Sequence, residues 1–182
     1  SIQASQPVWN SSGKYGGAYS FDGVDDYISA GNDSSLKPNI LTYSAWFNSR
    51  TISTTQIIID NRRNTDTFAG CLAALISSQF RWLCTLDGTA WGINLMSDTT
   101  LLSNTWYHFA ATFKSGEQKI YINGMQQASS QTTAGTIFYD LYNLHIGSDI
   151  DGTDTGTANE FTGTIDEVQL YNRTLSTEEI QA

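Results

Sequence analysis

The chain has 182 residues, enough for one well-filled domain and short for two, and 9 Lys and Arg against 18 Asp and Glu give a formal net charge of -9. That balance argues against nonspecific binding of nucleic acid or anionic lipid, because phosphate contacts need cations, and no apolar run approaches the roughly 20 residues that span a bilayer. Only 15% of residues are charged, while Ser, Thr, Asn, Gln, Gly and Tyr abound. This mixture suits a secreted all-β protein, and a chain starting at Ser1 is expected to be a single domain, 1–182, of a longer processed protein.

In chain order, Tyr19-Ser-Phe-Asp-Gly-Val-Asp-Asp-Tyr-Ile28 predicts a hairpin of two short strands joined by a turn at Gly23 to Asp26. Leu41 to Phe47 and Gln56 to Asp60 follow as strands, and the Asn- and Thr-rich run from Asp60 to Thr67 reads as a loop. A two-residue turn at Ser77-Ser78 pairs Ile76 with Gln79. Counting outward from it sets Cys71 opposite Cys84 at a non-hydrogen-bonded, closer-spaced position. That placement fits a disulfide and an oxidising compartment, or else two small buried thiols; a metal site would need further Cys or His nearby.

Thr105 to Phe113 is apolar or aromatic on both faces, as in a central strand of a two-layer sandwich. Asn123-Gly124 between two strand-like runs is the strongest short hairpin signal in the chain. Tyr142 to Gly147 is a further strand, and Ser148 to Asn159 an acidic loop. Glu160 stands twelfth from Asp149, as in a helix-loop-helix calcium loop, but the sixth position is Asp154 rather than Gly and strands flank the segment. A strand over 164–171 would place Asp166 on one face with Val168 and Leu170, where a carboxylate needs a partner. Ser176-Thr-Glu-Glu179 is a capping box, with Leu175 positioned to staple onto Ile180, and predicts a short helix from Thr177. Many short strands, frequent turns and one terminal helix indicate an all-β sandwich.

Taken together, Gly17 to Ile28, Tyr43-Ser-Ala-Trp-Phe47, Thr105 to Phe113, Ile120-Tyr-Ile-Asn-Gly124, Leu144-His-Ile-Gly-Ser148 and Gly163 to Ser176 resemble, in order, the laminin-G-like, concanavalin A-like jelly-roll family. The resemblance covers nearly the whole chain and implies a two-sheet antiparallel jelly-roll sandwich with the short helix at its end. It also implies a structural calcium where first and last strands meet, held by Asp166 with Asp22 and the neighbouring Gly23. The other reading of Asp166 is a carboxylate that accepts backbone amides of the N-terminal hairpin around Asp22 without a metal. Asp25 and Asp26 read as turn formers.

A sugar site needs an aromatic face and a few planar polar groups. Trp91, in a turn-rich segment with Asp87, is the candidate stacking residue or else a loop Trp that packs over the sheet edge, and Arg62, Arg63, Asn64 and Asp66 could supply hydrogen bonds; Trp46, Trp82 and Trp106 read as core. The glucanases of this fold carry paired acids in a Glu-x-Asp-x-x-Glu strand, which this chain lacks. His108 and His145 lie in strands with no nucleophile beside them. The expectation is therefore a noncatalytic carbohydrate-binding module, monomeric, secreted or at the cell surface, appended to other domains and binding polysaccharide or oligosaccharide. The alternatives are an adhesion or spacer domain and, third, a polysaccharide lyase or hydrolase.

Overall fold

The computed structural model describes residues 6–61, 68–149 and 159–182. Their elements are β1 (Val8–Asn10), β2 (Ala18–Asp22), β3 (Ile28–Ser29), β4 (Leu41–Ser49), β5 (Gln56–Asp60), β6 (Cys71–Ile76) and β7 (Gln79–Thr85). These are followed by β8 (Trp91–Met96), β9 (Trp106–Lys114), β10 (Glu117–Ile122), β11 (Met125–Gln131), β12 (His145–Ile146), β13 (Thr162–Tyr171) and the helix α1 (Thr177–Gln181). One antiparallel sheet has seven strands in the order β1-β2-β13-β4-β9-β10-β11, and the other six in the order β3-β12-β5-β6-β7-β8.

The core lies between the sheets and follows from strand alternation. Tyr43, Ala45 and Phe47 of β4, Phe109, Ala111 and Phe113 of β9, and Phe80 and Trp82 of β7 all join one buried cluster. Cys71 and Cys84 belong to it too. Ser77 and Ser78 both adopt positive φ, as a type I′ turn requires, and the register pairs Cys71 with Cys84 as the spacing predicts. The two are bridged, with Cα atoms 4.1 Å apart. Asn123 and Gly124 likewise have positive φ and join β10 to β11.

Two expectations are corrected. The strands flanking Gly23 to Asp26 do not pair with each other: β2 pairs with β1 and β13, β3 with β12 of the other sheet. The turn therefore passes the chain from one layer to the next. In β13, alternation breaks at a bulge. Asp166 pairs with Trp46, but the next partners are Gln169 with Ser44, so three steps on β13 match two on β4. Glu167 absorbs the extra residue in the left-handed region, with φ 49°. As a result Asp166 and Gln169 face outward with Trp46 and Ser44, while Leu170 pairs with Tyr43 and packs on the core. Asp166 does not share a face with Leu170.

At the other end of β13, Gly163 pairs with Phe21 on β2 and Ser49 on β4, and a Cβ there would meet the Asn48 carbonyl oxygen at 2.1 Å. No larger residue fits without opening the ladder. Replacing both bridged cysteines, Cys71→Ala with Cys84→Ala, frees a loop closed over 13 residues and should lower unfolding stability by about 3 kcal/mol. Chemical denaturation of the double variant against the oxidised parent measures this.

Candidate functional site

The outward alternates of the seven-stranded sheet form the floor of a groove of about 620 Å³. Ser44 and Trp46 come from β4, His108 and Ala110 from β9, and the register sets Trp46 beside His108 and Ser44 beside Ala110. One wall is the bulged β13, contributing Glu167, Gln169 and Tyr171, with Tyr15 from the N-terminal segment. The other is α1 and the Asn123-Gly124 turn. Ser176 caps α1 by accepting the Glu179 N–H while Glu179 reaches back to the Ser176 N–H, and Leu175 packs with Ile180 against Ala110 and Tyr121. Gln181 Nε2 ties the helix end to the Gly124 carbonyl at 3.1 Å.

Trp46 is the centre of the aromatic part. Tyr15 meets it edge-on at 5.8 Å, His108 lies at 5.3 Å, and the Lys14 ammonium sits over its ring at 4.4 Å. Burial holds His108 below its ordinary pKa, so it is neutral at pH 7. Its backbone N–H donates to Asn123 Oδ1 at 2.9 Å. Glu179 receives two Arg173 N–H bonds, each 2.8 Å, which, with the Ser176 N–H, bring its pKa down to about 2. Two cations stand against its lining, Lys14 over the Trp46 ring and Arg173 beside Tyr171 and Glu179. Aromatic side chains and the amides of Asn123, Gln169 and Gln181 suit a ligand rich in hydroxyl groups.

Tyr15 and Lys14 owe their position to Asp166. One carboxylate oxygen accepts the backbone N–H groups of Lys14 and Tyr15 at 2.7 and 2.9 Å, and the other accepts the Glu167 N–H at 2.9 Å. Three amide donors surround the group expected to bind calcium, and donors repel a cation. Nor is Asp22 near enough to share an ion. It pairs with Thr162, four residues before Asp166, or about 13 Å along the strand; oxygens on one calcium lie within about 5 Å of each other. The carboxylates that do converge are Asp22, Asp25 and Asp26, with ligand atoms within 4.8 Å of one another. They flank Gly23, whose φ of 86° turns the chain. Burial, followed by the charges of Asp22 and Asp25, raises the pKa of Asp26 against the hydrogen bond it accepts from the Asp22 N–H. Burial likewise raises Glu160, with further contributions from Asp149, Asp25 and Asp22. Asp22 Oδ1 and Asp26 Oδ2 each accept one backbone N–H, from Val24 and Asp22, which leaves each carboxylate a second oxygen for a hard divalent cation, whereas both oxygens of Asp166 accept amides.

Trp91 lies on the far side of the molecule, on the outer face of the six-stranded sheet. It is half-buried against Ile57, Leu72 and Leu83, with Phe68 edge-on at 5.1 Å. Asp87 is an exposed turn former whose Oδ1 accepts the Thr89 N–H at 2.8 Å, which lowers its pKa. Arg62, Arg63, Asn64 and Asp66, and residues 150–158 of the acidic loop, fall outside the described residues. Trp82 is fully buried as expected, but Trp46 and Trp106 are not core: both are half-buried on the outer face. The usable signal for Trp46 is its parity with Ser44 and Asn48 opposite the apolar set Tyr43, Ala45 and Phe47.

The sequence model of the concanavalin A-like lectin/glucanase superfamily matches residues 22–181. No curated protein matches the chain in sequence. Among solved structures, domain 4 of AbnA, a GH43 extracellular arabinanase from Geobacillus stearothermophilus in complex with arabinotriose, superposes with a TM-score of 0.70 at 19% identity, covering 98% of this chain and 81% of that one. The binding domain of Paraclostridial Mosquitocidal Protein 1 gives 0.75 at 16% identity over 96% of this chain. The binding domain of botulinum neurotoxin serotype G gives 0.73 at 16% over 97%. This chain spans 44% of each toxin chain. At these identities the likeness is one of fold.

Asp166→Ala would leave three inward-pointing amides without their acceptor. It should cost about 3 kcal/mol of stability, equally with calcium and with EDTA, and should release Tyr15 from the groove wall. Melting curves under both conditions, with Tyr15 amide exchange as the local readout, check this.

Proposed function

The chain belongs to the concanavalin A-like lectin/glucanase superfamily, and we propose that it is a noncatalytic, secreted sugar-binding module joined to other domains, with its ligand in the groove over Trp46. The observation that carries this reading is the groove itself, an aromatic floor ringed by amide side chains on a rigid sheet face. The arabinotriose complex of the arabinanase domain supports a sugar as the ligand class.

Hydrolysis would need a carboxylic acid with a raised pKa beside a second free carboxylate. The side-chain carboxylates lining the groove are Glu167 and Glu179. Glu179 is held ionised by Arg173 and cannot donate a proton near neutral pH, and Asp166 spends both oxygens on amides. The site therefore reads as one that holds rather than cuts.

Binding to a panel of neutral polysaccharides and to arabinotriose tests the reading. Trp46→Ala should weaken binding at least about tenfold, and Trp91→Ala should leave it unchanged. The opposite pattern would move the ligand to the outer face of the six-stranded sheet. Failure to bind any glycan would favour an adhesion domain, for which exposed Val8 and Trp9 on edge strand β1 offer apolar surface.

The same reading includes a structural calcium held by Asp22, Asp25 and Asp26, with Glu160 and Asp149 adding negative charge nearby. A divalent ion there offsets the mutual repulsion of carboxylates brought together by a two-residue spacer. Calcium should raise the melting temperature of the parent and not that of Asp25→Asn. An Asp25→Asn variant that keeps the whole calcium shift would place the ion elsewhere or nowhere.

A further inference from the structure

The groove is closed at one end. Along β4 the outward residues run Asn48, Trp46, Ser44, Thr42, and along β9 they run Trp106, His108, Ala110, Thr112, paired in that order. At Thr42 the floor disappears beneath the chain. Thr42 Oγ1 donates to the Arg173 carbonyl at 2.9 Å and accepts the Leu175 N–H at 3.0 Å, and Thr42 and Thr112 are 0% and 3% exposed. The link from β13 to α1 thus crosses the sheet over β4 as a bar. From the bar, α1 turns back along β9 and β10, seating Ile180 on Ala110 and Tyr121 and ending at Gly124. The opposite wall is the Glu167 bulge and Tyr15. In the other direction Asn48 and Trp106 stay partly exposed, so the groove opens past them.

The bar is not a flap. The Thr42 bonds fix it in the middle, the capping box and the Leu175–Ile180 contact fix the helix it leads to, and the paired Arg173–Glu179 bonds join the two. Displacing it would strand the Thr42 hydroxyl and expose Ile180 together.

We propose that this groove binds the terminus of a glycan chain and not an internal stretch; this rests on the reading of the groove as a sugar site. An internal segment must leave a site in two directions, and this groove has one exit. A chain end can enter past Trp106 and Asn48, lie along Trp46 beside the Lys14 ammonium that covers its ring, and stop against the bar. The cavity of about 620 Å³ falls within the range that encloses a short oligosaccharide-sized ligand. Recognition is then of the last few residues, and the rest of the polymer trails into solvent.

The test uses the full chain with linear arabinan, xylan, mannan and mixed-linkage glucan, each intact and after partial endo-cleavage, at equal mass. For the polysaccharide that binds, saturating capacity per gram should rise in proportion to the number of chains, and its trisaccharide should compete at the molar affinity of a polymer end. Capacity that stays constant per gram on cleavage, with binding still lost in Trp46→Ala, overturns end recognition while leaving the sugar site standing. No binding to any of the four, nor to their oligosaccharides, overturns both.

Discussion

One extra residue in β13 organises the outer face of the seven-stranded sheet. Without the bulge, the strand's alternation would carry Asp166 onto the same side as Val168 and Leu170, and one of these sets would have to face wrongly. With Glu167 in the left-handed region, both halves of the strand satisfy their surroundings. Ile165 and Leu170 reach the core, and Asp166, Gln169 and Tyr171 face out. A non-glycine residue at positive φ costs on the order of 1 kcal/mol, and the Asp166 carboxylate offsets it locally by accepting the Glu167 amide. The bulge then does two things at a distance. It aims Asp166 at the amides that hold Lys14 and Tyr15, and it raises Glu167 into the wall of the groove.

The two outer faces of the sandwich consequently differ in kind. The six-stranded sheet turns Ile57, Leu72, Ala74 and Leu83 outward, nearly or fully buried, with Trp91 and Ile76 packed against them. Around β5 and β6 that face is apolar and buried, while Arg81, Asn94 and Met96 of β7 and β8 meet solvent. The outer face of the other sheet carries Ser44, Trp46, His108 and Gln169, residues that can meet water or a polar ligand at little cost. The disulfide belongs to neither face. It points inward at the end of the β6–β7 hairpin, within the shared core, so its contribution goes to the scaffold.

What could be read from the residues alone follows the range of the interaction that determines it. The Ser77-Ser78 turn fixes its own register, and Cys71 opposite Cys84 follows by counting. The Asn123-Gly124 turn and the Ser176–Glu179 capping box are equally local and came out as expected. The failures are non-local. A bulge leaves no mark in a run such as Thr164 to Tyr171, since Glu is an ordinary residue at an extended position and only the partner strand reveals the slip. The turn at Gly23 shows that the chain bends but not that it changes sheets. Reading Trp46 as core follows its size and its apolar sequence neighbours Ala45 and Phe47, and overlooks that its own face carries Thr42, Ser44 and Asn48. Its role depends on α1 and the segment around Tyr15 flanking β4, one of them more than a hundred residues away in sequence.

The same geometry separates the ion from the ligand. The acidic corner and the groove lie at opposite ends of β13, near Thr162 and from Asp166 onward, respectively. In the expected arrangement a single calcium at Asp166 would have tied the N-terminal segment to the last strand, and losing it would have loosened the groove. In the observed arrangement backbone amides do that work, and amide donors do not depend on calcium or chelators. A cation at Asp22, Asp25 and Asp26 would brace the passage from β2 to β3, the place where the chain leaves one sheet for the other. Metal there would stabilise the sandwich as a whole, while the shape of the groove is set by hydrogen bonds that do not involve it.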